Sequence, residues 1–217
     1  CDLNTLMRVY SQMGGLYQRV AAFENERIAD SNAERLAWQI CDTLSALRLM
    51  WAQACCLYDS RNQSEAIMIL DSIAQFTEKN GIQEDPDLIY PIKTDYYLER
   101  KDIKCAEILL REYEYKTGIL TESLDTLNYD MAHFYLKGKY YNIAQKPDSA
   151  IQMFNKLSHL IELRPLYTSQ RHGLKEVSYQ GLTEAYSLKH QPDSVIKYAN
   201  LYCQWNDSST RAKSSEH

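Results

Sequence analysis

The side chains able to do chemistry are dispersed along this chain rather than gathered. Six cysteines stand at Cys1, Cys41, Cys55, Cys56, Cys105 and Cys203. No two form a C-x-x-C pair, and no histidine lies at zinc-ligand spacing from them, so they do not read as a metal centre. Four of them fall on or beside helical apolar stripes, where cysteine behaves as a small hydrophobe. Any disulfide pairing stays open. The histidines, His133, His159, His172, His190 and His217, are scattered. No G-x-S-x-G, H-E-x-x-H, Walker or G-x-G-x-x-G pattern occurs. Carboxylate pairs such as Asp85/Asp87 and Glu112/Glu114 read as charges at helix ends, serving the helix dipole. The expectation is a non-catalytic chain with no cofactor and no metal. Recognition is the chemistry that remains. The chain holds 17 Tyr against 4 Phe, and a ring with a polar tip suits half-buried helix faces.

The bulk composition narrows the partners. The net charge of -5 and the lack of a basic stripe count against nucleic acid, which needs clustered Lys and Arg. No apolar run approaches the ~18 residues of a membrane-spanning helix. With only 7 Gly and 5 Pro in 217 residues, an all-β fold built on tight turns is disfavoured.

The elements that would carry a recognition surface repeat. Tyr140-Tyr141-Asn142-Ile143-Ala144-Gln145-Lys146-Pro147-Asp148-Ser149-Ala150-Ile151 returns as Ala185-Tyr186-Ser187-Leu188-Lys189-His190-Gln191-Pro192-Asp193-Ser194-Val195-Ile196, forty-five residues on. The same step back from Ala150 reaches Cys105, with Tyr96 before it, and Ala66 lies thirty-nine residues earlier still, with Leu57 before it. Each copy reads as a helix ending in a bulky residue (Leu57, Tyr96, Tyr141, Tyr186), a polar turn, and a second helix. That second helix carries a small residue on its inner face (Ala66, Cys105, Ala150, Val195). The stripes Ala66, Ile69, Leu70, Ile73, Phe76 and Ala150, Phe154, Leu157, Ile161 have helical period.

These residues resemble the tetratricopeptide repeat. Tyr179 matches its large aromatic, Leu182 its leucine and Tyr186 its tyrosine. Phe134, Gly138, Tyr141, Ala150 and Phe154 match in the copy before. Lys137, Lys93 and Gln53 depart from the pattern, which wants small or apolar residues there. The implied fold is all-α, an α-α superhelix of about four hairpins. Residues 1–205 form one domain, with an N-terminal cap over 1–31 and hairpins over 32–79, 85–117, 121–163 and 166–205. Residues 206–217 form a polar tail leading to a missing C-terminal part. Ser31-Asn32-Ala33-Glu34 is expected to cap the first helix of copy one.

In that family the first helix of each hairpin lines a groove, which the register assigns to Trp51, Tyr90, Tyr97, Tyr135, Lys139, Asn142, Gln180 and Glu184. The set suits a peptide or protein partner, or a small polar ligand. The repeats also resemble the extracytoplasmic sensor regions of bacterial membrane-bound regulators. Cys1 before Asp2 has the form of a processed lipoprotein with the lipid on Cys1, or marks only where this sequence begins. Two readings follow: an extracytoplasmic sensing or interaction region of a regulator, or a periplasmic or surface lipoprotein acting as scaffold or nutrient binder. Both place the chain outside the cytoplasm, held at the membrane by the lipid or by a missing transmembrane segment.

Overall fold

The computed structural model describes residues 2–20, 22–83, 85–119, 131–166 and 168–215. Among them every regular element is a helix: α1 (Leu3–Arg19), α2 (Phe23–Gln39), α3 (Thr43–Asp59), α4 (Gln63–Lys79), α5 (Pro86–Glu99), α6 (Ile103–Thr117), α7 (Met131–Ile143), α8 (Pro147–Leu163), α9 (Thr168–Leu188) and α10 (Pro192–Ser215). The chain divides into two compact units, Cys1–Lys93 and Thr94–Glu216, with α5 contributing to both.

Five turns are built alike. Each places one non-glycine residue in the left-handed region: Cys41, Arg61, Lys101, Gln145 and His190. The next N–H then donates to a carbonyl five residues back, pairing Asp42 with Ala37, Asn62 with Leu57, Asp102 with Tyr97, Lys146 with Tyr141 and Gln191 with Tyr186. This is the Schellman closure, which satisfies carbonyls at the helix end. The following helix starts at once. Asp42 and Asp102 cap it by accepting from the N–H of Ser45 and of Cys105, both at 3.1 Å. Pro147 and Pro192 instead occupy the first helical position, where no N–H is needed.

The turns fix the repeat register. Five residues after the left-handed residue of the first four turns come Ala46, Ala66, Ala106 and Ala150, all sealed, while the last turn delivers the half-buried Val195. The expected pair Tyr96 and Cys105 is therefore one residue off: Tyr97 closes the turn, and Ala106, not the half-buried Cys105, lies in the tight contact. The first copies of the repeat differ from the expectation too. Ser31 to Glu34 lie inside α2, with Ala33 sealed in the core, and the chain turns at Cys41. α1 runs unbroken through Gly14 and Gly15 and packs on α2 as a further hairpin. At the other end α10 continues beyond Trp205 to Ser215, and Asn206 donates to Glu176 on α9 at 2.6 Å.

The three departures from the repeat pattern share one explanation. Gln53, Lys93 and Lys137 all stand four residues before the carbonyl that closes their turn, and each reaches an acid on the helix before its own. Gln53 Nε2 donates to Glu34 (2.7 Å) and Lys93 to Asp71 (2.7 Å), while Lys137 meets Glu114. In the last copy Leu182 fills the position with apolar packing. Glu114 is buried and also bonded to His133 Nε2 at 2.8 Å. Burial disfavours its charge, but the bonds from His133 and Lys137 outweigh that and hold the carboxyl below its ordinary value.

The core of the C-terminal unit centres on Phe154, whose ring lies between Gly138 of α7 and Gly181 of α9. A Cβ on Gly181 would fall 2.1 Å from the ring, and one on Gly138 2.7 Å. Only glycine allows both helices this near, and α7 and α9 also touch each other. Gly181→Ala should therefore lose roughly 1–3 kcal/mol to overpacking, although alanine is the better helix former by about 1 kcal/mol. Urea unfolding of the two proteins checks this, with stabilisation as the contrary result.

Candidate functional site

The groove residues expected from the repeat register belong to the first helix of each hairpin. In the C-terminal unit, Tyr97 and Tyr135 are half-buried, and both pack beside the cluster of Leu98, Ala106, Leu110 and Leu136. Lys139 extends between Tyr135 and the acids of α5. Its Nζ is 2.6 Å from Asp95 and 3.9 Å from Glu99, and 5.8 Å from the Tyr135 ring centre. Burial works against its charge, yet Asp95, the Tyr135 oxygen and Glu99 raise its pKa overall. The Tyr135 phenol is raised as well, by burial first and then by Asp95. Further along, Asn142 Nδ2 donates to the Gly181 carbonyl (2.9 Å) and to Glu184 (3.3 Å). Asn142 and Glu184 line an open cavity of about 710 Å³ with Lys101, Ile103, Thr183 and Val195. Gln180 is exposed on α9.

The expected polar residues thus do a structural task first. Lys139 ties α7 to α5, and Asn142 ties α7 to α9. The carbonyl oxygen of the Asn142 side chain is buried and has no partner. The aromatic edges of Tyr97 and Tyr135 remain as the partly open surface.

The N-terminal unit is different. Tyr90 is only 6% exposed, so its ring serves packing and is withdrawn as a groove contact. Trp51 is half-buried and lines a cavity of about 880 Å³ bounded by α1, α2, α3 and the start of α5. Its indole N–H is buried without an acceptor. Two acids not anticipated from the sequence share this cavity: Glu26, 2% exposed, and Asp30, 4% exposed. They lie one turn apart on α2, continuing the inward stripe of Ala29, Ala33, Leu36 and Ala37. Acids on a core-facing stripe were the available signal. Gly14 makes room for the second of them, since a Cβ there would meet Asp30 Oδ1 at 2.0 Å. Cys1, the candidate lipid site, lies outside the described residues.

Burial shifts both acids strongly. The Glu26 carboxyl is pushed up to about 7, by burial first and further by Asp30 and Asp59, against a hydrogen bond from Cys56. Burial alone pushes Asp30 up to about 6. The Cys55 and Cys56 thiols are pushed up to about 12 by burial beside these acids.

No family model matches the sequence, and no curated protein matches it. Similar solved structures include three tetratricopeptide-like or related chains. MamA protein aligns over 95% of this chain and 94% of its own, at 14% identity and a TM-score of 0.51. The nearly identical TPR-like repeats of a Podosopora anserina putative kinesin light chain align over 97% and 99%, at 14% identity and 0.58. A single-substitution form of the same repeats aligns over 98% and 99%, at 14% identity and 0.57. The fold is tetratricopeptide-like. At such identity the likeness carries the architecture, helical hairpins in repeat, and no more.

The raised Glu26 carboxyl makes a signed prediction. Between pH 4.5 and about 7 it keeps a proton in the folded chain that the unfolded chain has lost, so raising the pH through that window removes stability. Below the window the penalty is absent. Glu26→Gln should therefore be more stable than the parent at pH 8, by roughly 2–4 kcal/mol, and close to it at pH 4. Urea denaturation at the two pH values checks this. Equal differences at both would contradict it.

Proposed function

We propose that this chain is a non-catalytic binding module, the extracytoplasmic sensing or interaction region of a bacterial signalling or regulatory protein. The observation that carries the proposal is the half-open aromatic pair Tyr97 and Tyr135, set on the first helices of a tetratricopeptide-like fold. Such rings lose little rotamer freedom on binding and bury a large area, which suits them to anchor a partner segment. Lys139, held by Asp95 and Glu99, stands beside them as a fixed polar contact. Support for the extracytoplasmic placement comes from the style of the repeats, with their Pro-Asp-Ser turns and Asn206-Asp207-Ser208 stretch.

Two measurements in the native cells test this reading. A photo-crosslinking phenylalanine analogue at Tyr97 should capture one defined partner, while the same analogue at Tyr115, exposed on α6, should capture none. Tyr135→Ala should lower the yield, consistent with a loss of about 1–2 kcal/mol in binding, and leave the helical circular dichroism unchanged. Equal capture from both positions would refute the surface. A small thiol reagent that does not cross the inner membrane should label the exposed Cys203 in intact cells. Labelling only after lysis would refute the placement.

A further inference from the structure

The cavity of the N-terminal unit holds polar groups that the fold leaves unsatisfied. Among the described residues neither the buried Glu26 Oε2 nor the buried Trp51 indole N–H has a hydrogen-bond partner. Buried carboxylates are ordinarily paired with a cation or bonded on both oxygens, because an uncompensated buried charge is costly. Here two buried carboxylates line one cavity, one of them with an unpartnered oxygen, and among the described residues no lysine or arginine forms an ion pair with either. Arg8 and Arg48 line the same cavity, but both residues are exposed and stand at its solvent side. The space, about 880 Å³, lies within the range of small-molecule and peptide pockets.

We infer that this cavity binds a protonated amine, which Glu26 and Asp30 neutralise from α2 while the Trp51 N–H and the rim arginines take a carbonyl or carboxylate of the same ligand. The complementarity is in sign: two buried acids and the buried Trp51 N–H line the cavity, with the exposed arginines Arg8 and Arg48 at its edge. An α-ammonium group next to a carbonyl has this layout, whether it belongs to a free amino acid or to the amino terminus of a peptide. The position of Gly14 supports a built site, since the glycine lets Asp30 approach α1 in a way that no other residue would allow. This inference stands apart from the Tyr97–Tyr135 surface, which belongs to the other unit, so each can fail without the other.

Binding must be pH-dependent, because the acids bind the ammonium only when ionised. The titratable or charged groups around Glu26 are Asp30 on α2, Arg8 on α1, Asp42, Arg48, Cys55, Cys56 and Asp59 on α3, and Asp85 ahead of α5. The Cys55 and Cys56 thiols, pushed up to about 12 by burial, stay protonated across this range, so the two buried carboxyls govern the change.

Isothermal titration with three probes tests the proposal: L-alanine, tri-alanine and N-acetyl-tri-alanine. At pH 8 at least one free-amine probe should bind, and the acetylated peptide should not. Affinity should fall by about tenfold or more at pH 5.5, where the carboxyls are protonated. Glu26→Gln, which the linkage argument expects to fold more stably at pH 8, should lose binding by about tenfold or more. Binding of both free-amine probes supports an amino-acid ligand, and binding of tri-alanine alone supports a peptide amino terminus. Absence of binding at about 10 mM, binding of the acetylated peptide at equal strength, or retention of affinity in Glu26→Gln would overturn the site.

Discussion

The structure depends on how its hairpins are closed. A single left-handed residue, with a hydrogen bond running five residues back, reverses the chain at Cys41, Arg61, Lys101, Gln145 and His190. None of these is glycine, so each costs roughly 1–2 kcal/mol of backbone strain. The closure offsets that strain by satisfying two helix-end carbonyls and by starting the next helix without a loop. More importantly, it sets the register. In the first four turns it delivers an alanine, five residues after the left-handed one, to the contact with the preceding helix, and that contact determines how closely the pair approaches.

What the turns bring together, the interior then holds by two different means. In the C-terminal unit Phe154 is seated between two glycines, a close-packed apolar lock. Between successive hairpins the links are polar: Gln53 to Glu34, Lys93 to Asp71, and Lys137 to Glu114 with His133. The partly exposed links, Gln53 to Glu34 and Lys93 to Asp71, are worth little individually. Their service is specificity, because each acid accepts only the hairpin that presents a donor at the matching position. In the N-terminal cavity the buried unpartnered groups include a carboxylate oxygen. Glu26 and Asp30 sit inside without a cation, and proteins tend to leave such costs in place where a site needs them.

Much of this was legible before any coordinates. The Pro-Asp-Ser recurrence revealed the hairpins of α7 to α10, because Pro at the first helical position is a strong local signal. The helical stripes of α4 and α8 were also clear. The earlier copies were harder, since their turns lack both proline and glycine. Arg61 and Lys101 do not look like left-handed residues, and counting forty-five back from Ala150 landed on Cys105 instead of Ala106. The Ser31–Glu34 motif misled for a related reason: a capping box is local, while Ala33 is held inside α2 by tertiary burial. Of the groove residues, Tyr97 and Tyr135 kept half-buried rings against one cluster, with Lys139 near Tyr135. Tyr90 did not, because half-burial and full burial of a tyrosine look the same in a sequence. Glu26 and Asp30 do not stand out in the sequence, because acids on a helix ordinarily form its wet face.

The register is the claim on which the rest stands, and it is open to a direct comparison of neighbours. Ala106→Leu and Cys105→Leu add bulk at adjacent positions of α6, and urea unfolding gives the stability of each. The account predicts a loss of roughly 1–3 kcal/mol for Ala106→Leu, from overpacking a sealed helix contact. For the half-buried Cys105 it predicts a change within about 0.5 kcal/mol. The opposite order, with Cys105→Leu the damaging change and Ala106→Leu tolerated, would contradict the register and with it the arrangement of the hairpins.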